Sequence, residues 1–145
     1  MNKISFLIIV VSLLSCSKDE DSMDVKHLEN QLLVYVEGAS GDQSMVYPDI
    51  PAGNIFTAYV NGIMLNSDGT YDLYFGGYQK VPDYQKLNFK VDPEWTDLSS
   101  EIILMRGADL PEVAWRIKYA SSHEIIISES FEGRILEYRL ESYRP

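Results

Sequence analysis

Apolar and polar residues alternate in short runs along most of this chain, and a period of two marks strands. Tyr71, Leu73 and Phe75 share one face of 71–75, with Asp72 and Tyr74 on the other. Leu87, Phe89 and Val91 alternate with Asn88 and Lys90. Val113, Trp115, Ile117 and Tyr119 alternate with Ala114, Arg116 and Lys118, which predicts a core role for Trp115 and Tyr119. Ile125 and Ile127 stand out within 123–129, and Leu136, Tyr138 and Leu140 alternate with Glu137, Arg139 and Glu141. Residues 32–36 and 55–60 are β-branched and aromatic runs, each read as a strand. Turn chemistry falls between these runs, at 38–42, 66–70, Gly76-Gly77, 120–122 and Glu132-Gly133. Asn61-Gly62 is a hairpin signal, because both residues tolerate positive φ. It predicts that 55–60 turns back into a strand at 63–65. The pattern as a whole predicts an all-β fold, an antiparallel meander closed as a barrel or folded as a β-sandwich.

Two stretches follow another period. Val25, Leu28 and Leu32 lie at helical spacing, so a short helix can start near Asp24. Asp92-Pro93-Glu94 has the chemistry of a helix start, and Trp95, Leu98, Ile102 and Met105 lie at helical spacing before Gly107. Ser99-Ser100 interrupts that helix, and 102–105 also reads as a buried strand. The favoured expectation is a helical turn at 93–98 and then a strand. A full helix at 93–106, giving an α+β fold, is the alternative.

The amino end reads as an address. Lys3 precedes a run from Ile4 to Leu14 that is apolar apart from Ser5 and Ser12, and then come Ser15 and Cys16. The run is too short to span a bilayer, which takes about 20 apolar residues. It fits a secretory signal. Leu13-Leu14-Ser15-Cys16 resembles the lipobox of bacterial lipoproteins. The resemblance implies cleavage before Cys16 and a diacylglycerol on its sulfur. Cys16 is the only cysteine, so an internal disulfide is excluded and lipidation accounts for the lone thiol. The expected organisation is a signal peptide at 1–15, an acylated cysteine and acidic tether at 16–30, and a single β-rich domain at 31–145. Ser17-Lys18-Asp19-Glu20-Asp21 suits a solvated tether. It also resembles the Lys-plus-acidic signal that sends some Gram-negative lipoproteins to the outer face of the outer membrane. The expected location is therefore the outer membrane, lipid-anchored at the cell surface.

Charge narrows the partners. The formal net charge is −10, and loss of Lys3 with the signal makes it −11. Phosphate backbones repel such a surface, so nucleic acid is excluded as a partner. Anionic head groups repel it too, which leaves the lipid anchor as the membrane contact.

The carboxy-terminal third carries a second resemblance. Trp115-Arg116-Ile117-Lys118-Tyr119, a turn, His123-Glu124-Ile125-Ile126-Ile127, another turn, and Ile135-Leu136-Glu137-Tyr138-Arg139-Leu140 are similar to the ending of small lipocalin-like bacterial lipoproteins. Asp68-Gly69-Thr70-Tyr71 resembles an early hairpin of that group. The early Gly-x-Trp of the group is missing here. The resemblance implies an eight-stranded up-and-down barrel, often with a central cavity, and no catalytic residues. In such a barrel Tyr71, Phe75, Trp115 and Tyr138 would face inward and line a ligand site.

Catalytic chemistry has little to stand on. The two histidines, His27 and His123, lie at the tether edge and beside a turn. There is no Gly-x-Ser-x-Gly, no HExxH and no phosphate loop. Pairs such as Asp109 with Glu112 are ordinary at this acidity. Asn66 to Asp72 has the first half of a calcium loop but no closing glutamate, and hairpin turns favour the same residues. Neither metal nor cofactor is expected, and an enzyme ranks last. The leading expectation is a lipid-anchored, non-enzymatic envelope binding protein that holds a small apolar ligand in its barrel. The alternative is a surface accessory module that binds glycan or a partner protein, with Tyr74, Tyr78 and Tyr84 near Gly76-Gly77 as an aromatic patch.

Overall fold

The computed structural model describes residues 24–78, 82–88, 93–107 and 110–145. The signal, Cys16, the acidic tag, Asp109 and the Phe89–Val91 alternation lie outside the described residues. A 3-10 helix at Val25–Leu28 comes first, its amino end capped by Asp24, whose carboxylate accepts from the Lys26 amide at 2.9 Å. The strands follow as β1 Leu32–Ser40, β2 Gln43–Val46, β3 Gly62–Leu65, β4 Tyr71–Phe75 and β5 Gln85–Lys86. Then come β6 Glu94–Asp97, β7 Glu101–Met105, β8 Val113–Ala120, β9 Glu124–Phe131 and β10 Arg134–Ser142. The alternating stretches at 71–75, 113–119 and 134–140 all fall inside strands, because a half-buried strand needs one apolar face.

The sheet is antiparallel and runs in the order β5-β4-β3-β1-β10-β9-β8-β7-β6, with β2 folded back on β1. It curls into a half-barrel, with its apolar face inside. Its edges meet at one seam. The Tyr71 amide donates to the Pro93 carbonyl at 2.9 Å and the Trp95 amide to Gly69 at 2.8 Å, with a bridge between Thr70 and Glu94. Following bonded neighbours across this seam passes β1, β3, β4, β6, β7, β8, β9 and β10 once each, which is an up-and-down barrel-like meander.

Three expectations need correction. Residues 55–60 form no strand and no hairpin with 63–65. Asn61 is instead fully buried, and its amide group donates to the Gly76 carbonyl at 2.8 Å, so Asn-Gly serves as a tertiary anchor at the start of β3. Residues 94–97 are β6 rather than a helical turn. The seam bonds use the backbone of Pro93 and Trp95, and the Trp95 indole donates to the Asn66 carbonyl at 2.9 Å, contacts that a helix would forfeit. The strand expected after it is β7. Tyr119 is exposed, not core: the β8–β9 register shifts between Ile117 and Tyr119, and the extra residue turns Tyr119 outward.

The core lines the inside of the curl. Val25 and Leu28 are fully buried in it, although the sequence places them within the tether span. On the outside, Arg139 binds Glu37 at 2.9 Å and Glu124 at 3.3 Å, and also Glu141, tying β1, β9 and β10. Such exposed pairs contribute little individually. The buried phenols contribute more, and they set an alkaline limit. Burial pushes Tyr35 and Tyr71 from 10.0 up to about 12. The folded chain therefore holds these protons more tightly than the unfolded chain. Stability from this source is complete below pH 10 and is lost as the pH climbs toward 12. Circular dichroism and phenolate absorbance, followed together against pH, should show unfolding within that window. Titration of every tyrosine near pH 10 with the fold intact would contradict it.

Candidate functional site

The segment between β2 and β3 leaves the sheet and enters the barrel. Its Phe56 is fully buried and stacks on Trp115 of β8, with centroids 5.5 Å apart and planes 20° apart. Tyr138 of β10 meets Phe56 edge-on at 5.4 Å, and Tyr35 of β1 lies 6.4 Å away. Tyr35 and Tyr138 also pack edge-on at 6.0 Å. Aromatic rings thus fill the middle of the barrel, as narrow barrels allow. The Trp115 indole nitrogen is buried without a hydrogen-bond partner among the described residues.

A polar latch holds this plug. Glu129 of β9 is buried, and donors converge on it. Tyr138 Oη donates to Oε1 at 2.7 Å, the Asn54 amide to Oε1 at 3.2 Å, and Asn54 Nδ2 to Oε2 at 3.3 Å. Burial and the neighbouring carboxylate hold the Tyr138 hydroxyl far above the usual phenol range. Gly53 is required beside the latch. A Cβ there would lie 2.1 Å from both Glu129 Oε1 and Tyr138 Oη.

Beyond the plug, at the end of the barrel near the seam, is a cavity of about 190 Å³. Asn54 and Ile55 of the plug, Tyr71 and Leu73 of β4, Pro93, Arg106 and Leu110 line it. Its walls are apolar apart from Asn54, the Tyr71 hydroxyl and the Arg106 guanidinium. Arg106 Nε donates to the Pro111 carbonyl at 3.2 Å and Nη1 to the Asn54 carbonyl at 3.4 Å. Arg106 also lowers the Tyr71 pKa, opposing the larger effect of burial.

A second feature lies on the outer surface. Tyr47 and Tyr78 pack with centroids 5.7 Å apart, and Tyr84 meets Tyr143 edge-on at 4.8 Å. Tyr47 Oη donates to the Gly77 carbonyl at 3.0 Å and Tyr78 Oη to Ala58 at 3.0 Å. Gly77 has φ 72°, and a Cβ there would sit 2.7 Å from Tyr84 Oη, so the cluster needs glycine at this point.

Of the residues expected to line a ligand site, Trp115 and Tyr138 are packed around the plug, and Tyr71 forms a wall of the cavity. Phe75 is only half-buried and ends β4 opposite Gln85. Of the expected surface patch, Tyr78 and Tyr84 join the tyrosine cluster, and Tyr74 is half-buried on β4. Sequence reasoning missed Phe56, Glu129 and Arg106. Two were legible by parity: Arg106 extends the inward series Ile102, Leu104, and Glu129 extends Ile125, Ile127. His27 and His123 are exposed. The Asn66–Asp72 segment is a turn. The Asn66 amide donates to the Thr70 carbonyl at 2.8 Å, and Asp68 accepts from the Thr70 amide and hydroxyl at 2.9 and 2.7 Å. No family model matches the chain, and no curated protein or solved structure matches it either.

Proposed function

We propose that this chain is a lipid-anchored, non-enzymatic binding protein of the cell envelope that takes a small, largely apolar ligand at the mouth of its barrel. One observation carries the reading: the cavity of about 190 Å³ beside the plug, apolar in its walls and supplied with a few polar groups. The middle of the barrel is occupied by Phe56, so the mouth rather than the centre is the site. Nuclear magnetic resonance of the full chain, titrated with a neutral ring such as benzyl alcohol, tests this. Amide shifts confined to Asn54, Ile55, Tyr71, Leu73, Arg106 and Leu110 are expected. Shifts elsewhere, or none, would overturn it.

The tyrosine cluster favours a second reading, a surface module that binds glycan. Tyrosines supply flat amphipathic area with few torsions to freeze. In the same titration format, an oligosaccharide mixture that shifts Tyr47, Tyr78, Tyr84 and Tyr143 would favour this module instead.

The anchor is proposed on Cys16 and the surface address on Lys18-Asp19-Glu20-Asp21. Several buried acyl chains anchor a protein stably where one chain alone is marginal. Fatty-acid labelling in cells should mark the wild type and spare Cys16→Ser. Equal labelling of the two would remove the anchor from this position.

A further inference from the structure

We infer that the mouth cavity selects a small carboxylic acid built on one ring, bound as its anion. This deepens the mouth-site reading and rests on it. Size comes first. A dry cavity of about 150 Å³ holds a benzene-sized molecule. A cavity of about 190 Å³ therefore suits one ring with one small head group.

The lining then chooses the head group. The chain carries 22 acidic residues against 12 basic ones, yet the charged side chain in the lining is a cation, Arg106. Among the described residues no carboxylate pairs with it. Its Nη2 donates to nothing among them, while Nε and Nη1 fix the plane of the fork on the Pro111 and Asn54 carbonyls. Tyr71 is 1% exposed, and its hydroxyl has no hydrogen-bond partner among the described residues. Like any phenol that hydroxyl is protonated at neutral pH and can donate. Asn54 Nδ2 is already committed to Glu129 and the Ser130 carbonyl. A ligand is left with a guanidinium edge and a phenol proton above apolar walls from Ile55, Leu73, Pro93 and Leu110. A carboxylate meets both donors, because its oxygens only accept and guanidinium matches them in charge and geometry. An ammonium ligand would face Arg106 unpaired.

Three probes of one shape separate the possibilities: benzoate, neutral benzamide and cationic benzamidine. Titration of the full chain by calorimetry and resonance shifts should rank benzoate about tenfold above benzamide, with benzamidine weakest. The preference for benzoate should shrink with added salt. Arg106→Gln should erase the preference while benzamide still binds. Arg106→Lys should keep part of it. Tyr71→Phe should weaken benzoate severalfold. Equal affinity for benzoate and benzamide in the wild type would overturn the anion preference and leave the mouth site standing. No binding by any of the three would overturn the mouth site itself. If Arg106→Gln fails to fold, the wild-type ranking and its salt dependence decide alone.

Discussion

Truncating Phe56 to alanine is expected to cost about 3–5 kcal/mol of folding stability, which is the range for a buried aromatic. The ring is fully buried and stands between three other aromatics, so its removal strips contacts from Trp115, Tyr138 and Tyr35 together. The walls belong to bonded strands and cannot follow it inward. The void should therefore persist and remain apolar, a site for a molecule the size of the lost ring. Urea denaturation measures the cost. Benzene or a similar probe should then raise the melting temperature of Phe56→Ala by clearly more than that of the wild type, which offers it the mouth cavity alone, since a ligand stabilises the state that binds it. Phe56→Leu should recover much of the loss. A cost below about 1 kcal/mol would mean that the plug is held by its backbone and that the aromatic cluster adds little.

The same experiment bears on how the barrel divides its interior. Phe56 comes from a connection, not a strand, and its presence moves the proposed ligand site from the centre to the mouth. That displacement was not legible in the sequence. Ile55 and Phe56 are apolar because this connection buries them, and burial of a connection selects the same residues as burial of a strand, while Tyr59 of the same run stays exposed. Asn61-Gly62 completed the wrong picture, because its hairpin signal is local and the Asn61 side chain bonds across 15 residues to Gly76. The helical spacing of Trp95, Leu98, Ile102 and Met105 likewise came from two short strands and the turn between them: Trp95 and Ile102 are buried and happen to lie seven residues apart, whereas Leu98 is exposed in the turn and Met105 is half-buried. Strands with unbroken alternation were legible, since each exposes one face to water along its whole length. Tyr119 escaped because one extra residue in β8 reverses the parity of the positions after it. The site was half legible. Tyr71 was found as an inward aromatic, whereas Arg106 and Glu129 were overlooked because charged residues in alternating segments are ordinarily read as the wet face.

Replacing Glu129 is expected to have the largest effect of any polar substitution, and its pattern separates a latch from an ordinary buried acid. Glu129→Ala leaves the Tyr138 hydroxyl buried without an acceptor and takes the acceptor from the Asn54 amide, while Asn54 Nδ2 keeps the Ser130 carbonyl. A dry donor of this kind costs about 1–3 kcal/mol. The plug segment then keeps only the Ser130 bond to β9, so the loss should spread to Phe56, which the resonances of residues 53–56 would report. Glu129→Gln retains an acceptor for Tyr138 and should lose less. Gly53→Ala supplies the independent arm. Its new methyl would fall 2.1 Å from both Glu129 Oε1 and Tyr138 Oη, so it pushes the latch apart without deleting any of it. If these atoms form one unit, the cost of Gly53→Ala should be much smaller in a Glu129→Ala, Tyr138→Phe background, which removes both obstructing oxygens. Strictly additive costs across that cycle would mean that the glycine and the carboxylate act separately. The plug would then be held by its aromatic packing alone, and the Arg106 side of Asn54 would be free to move with any ligand at the mouth.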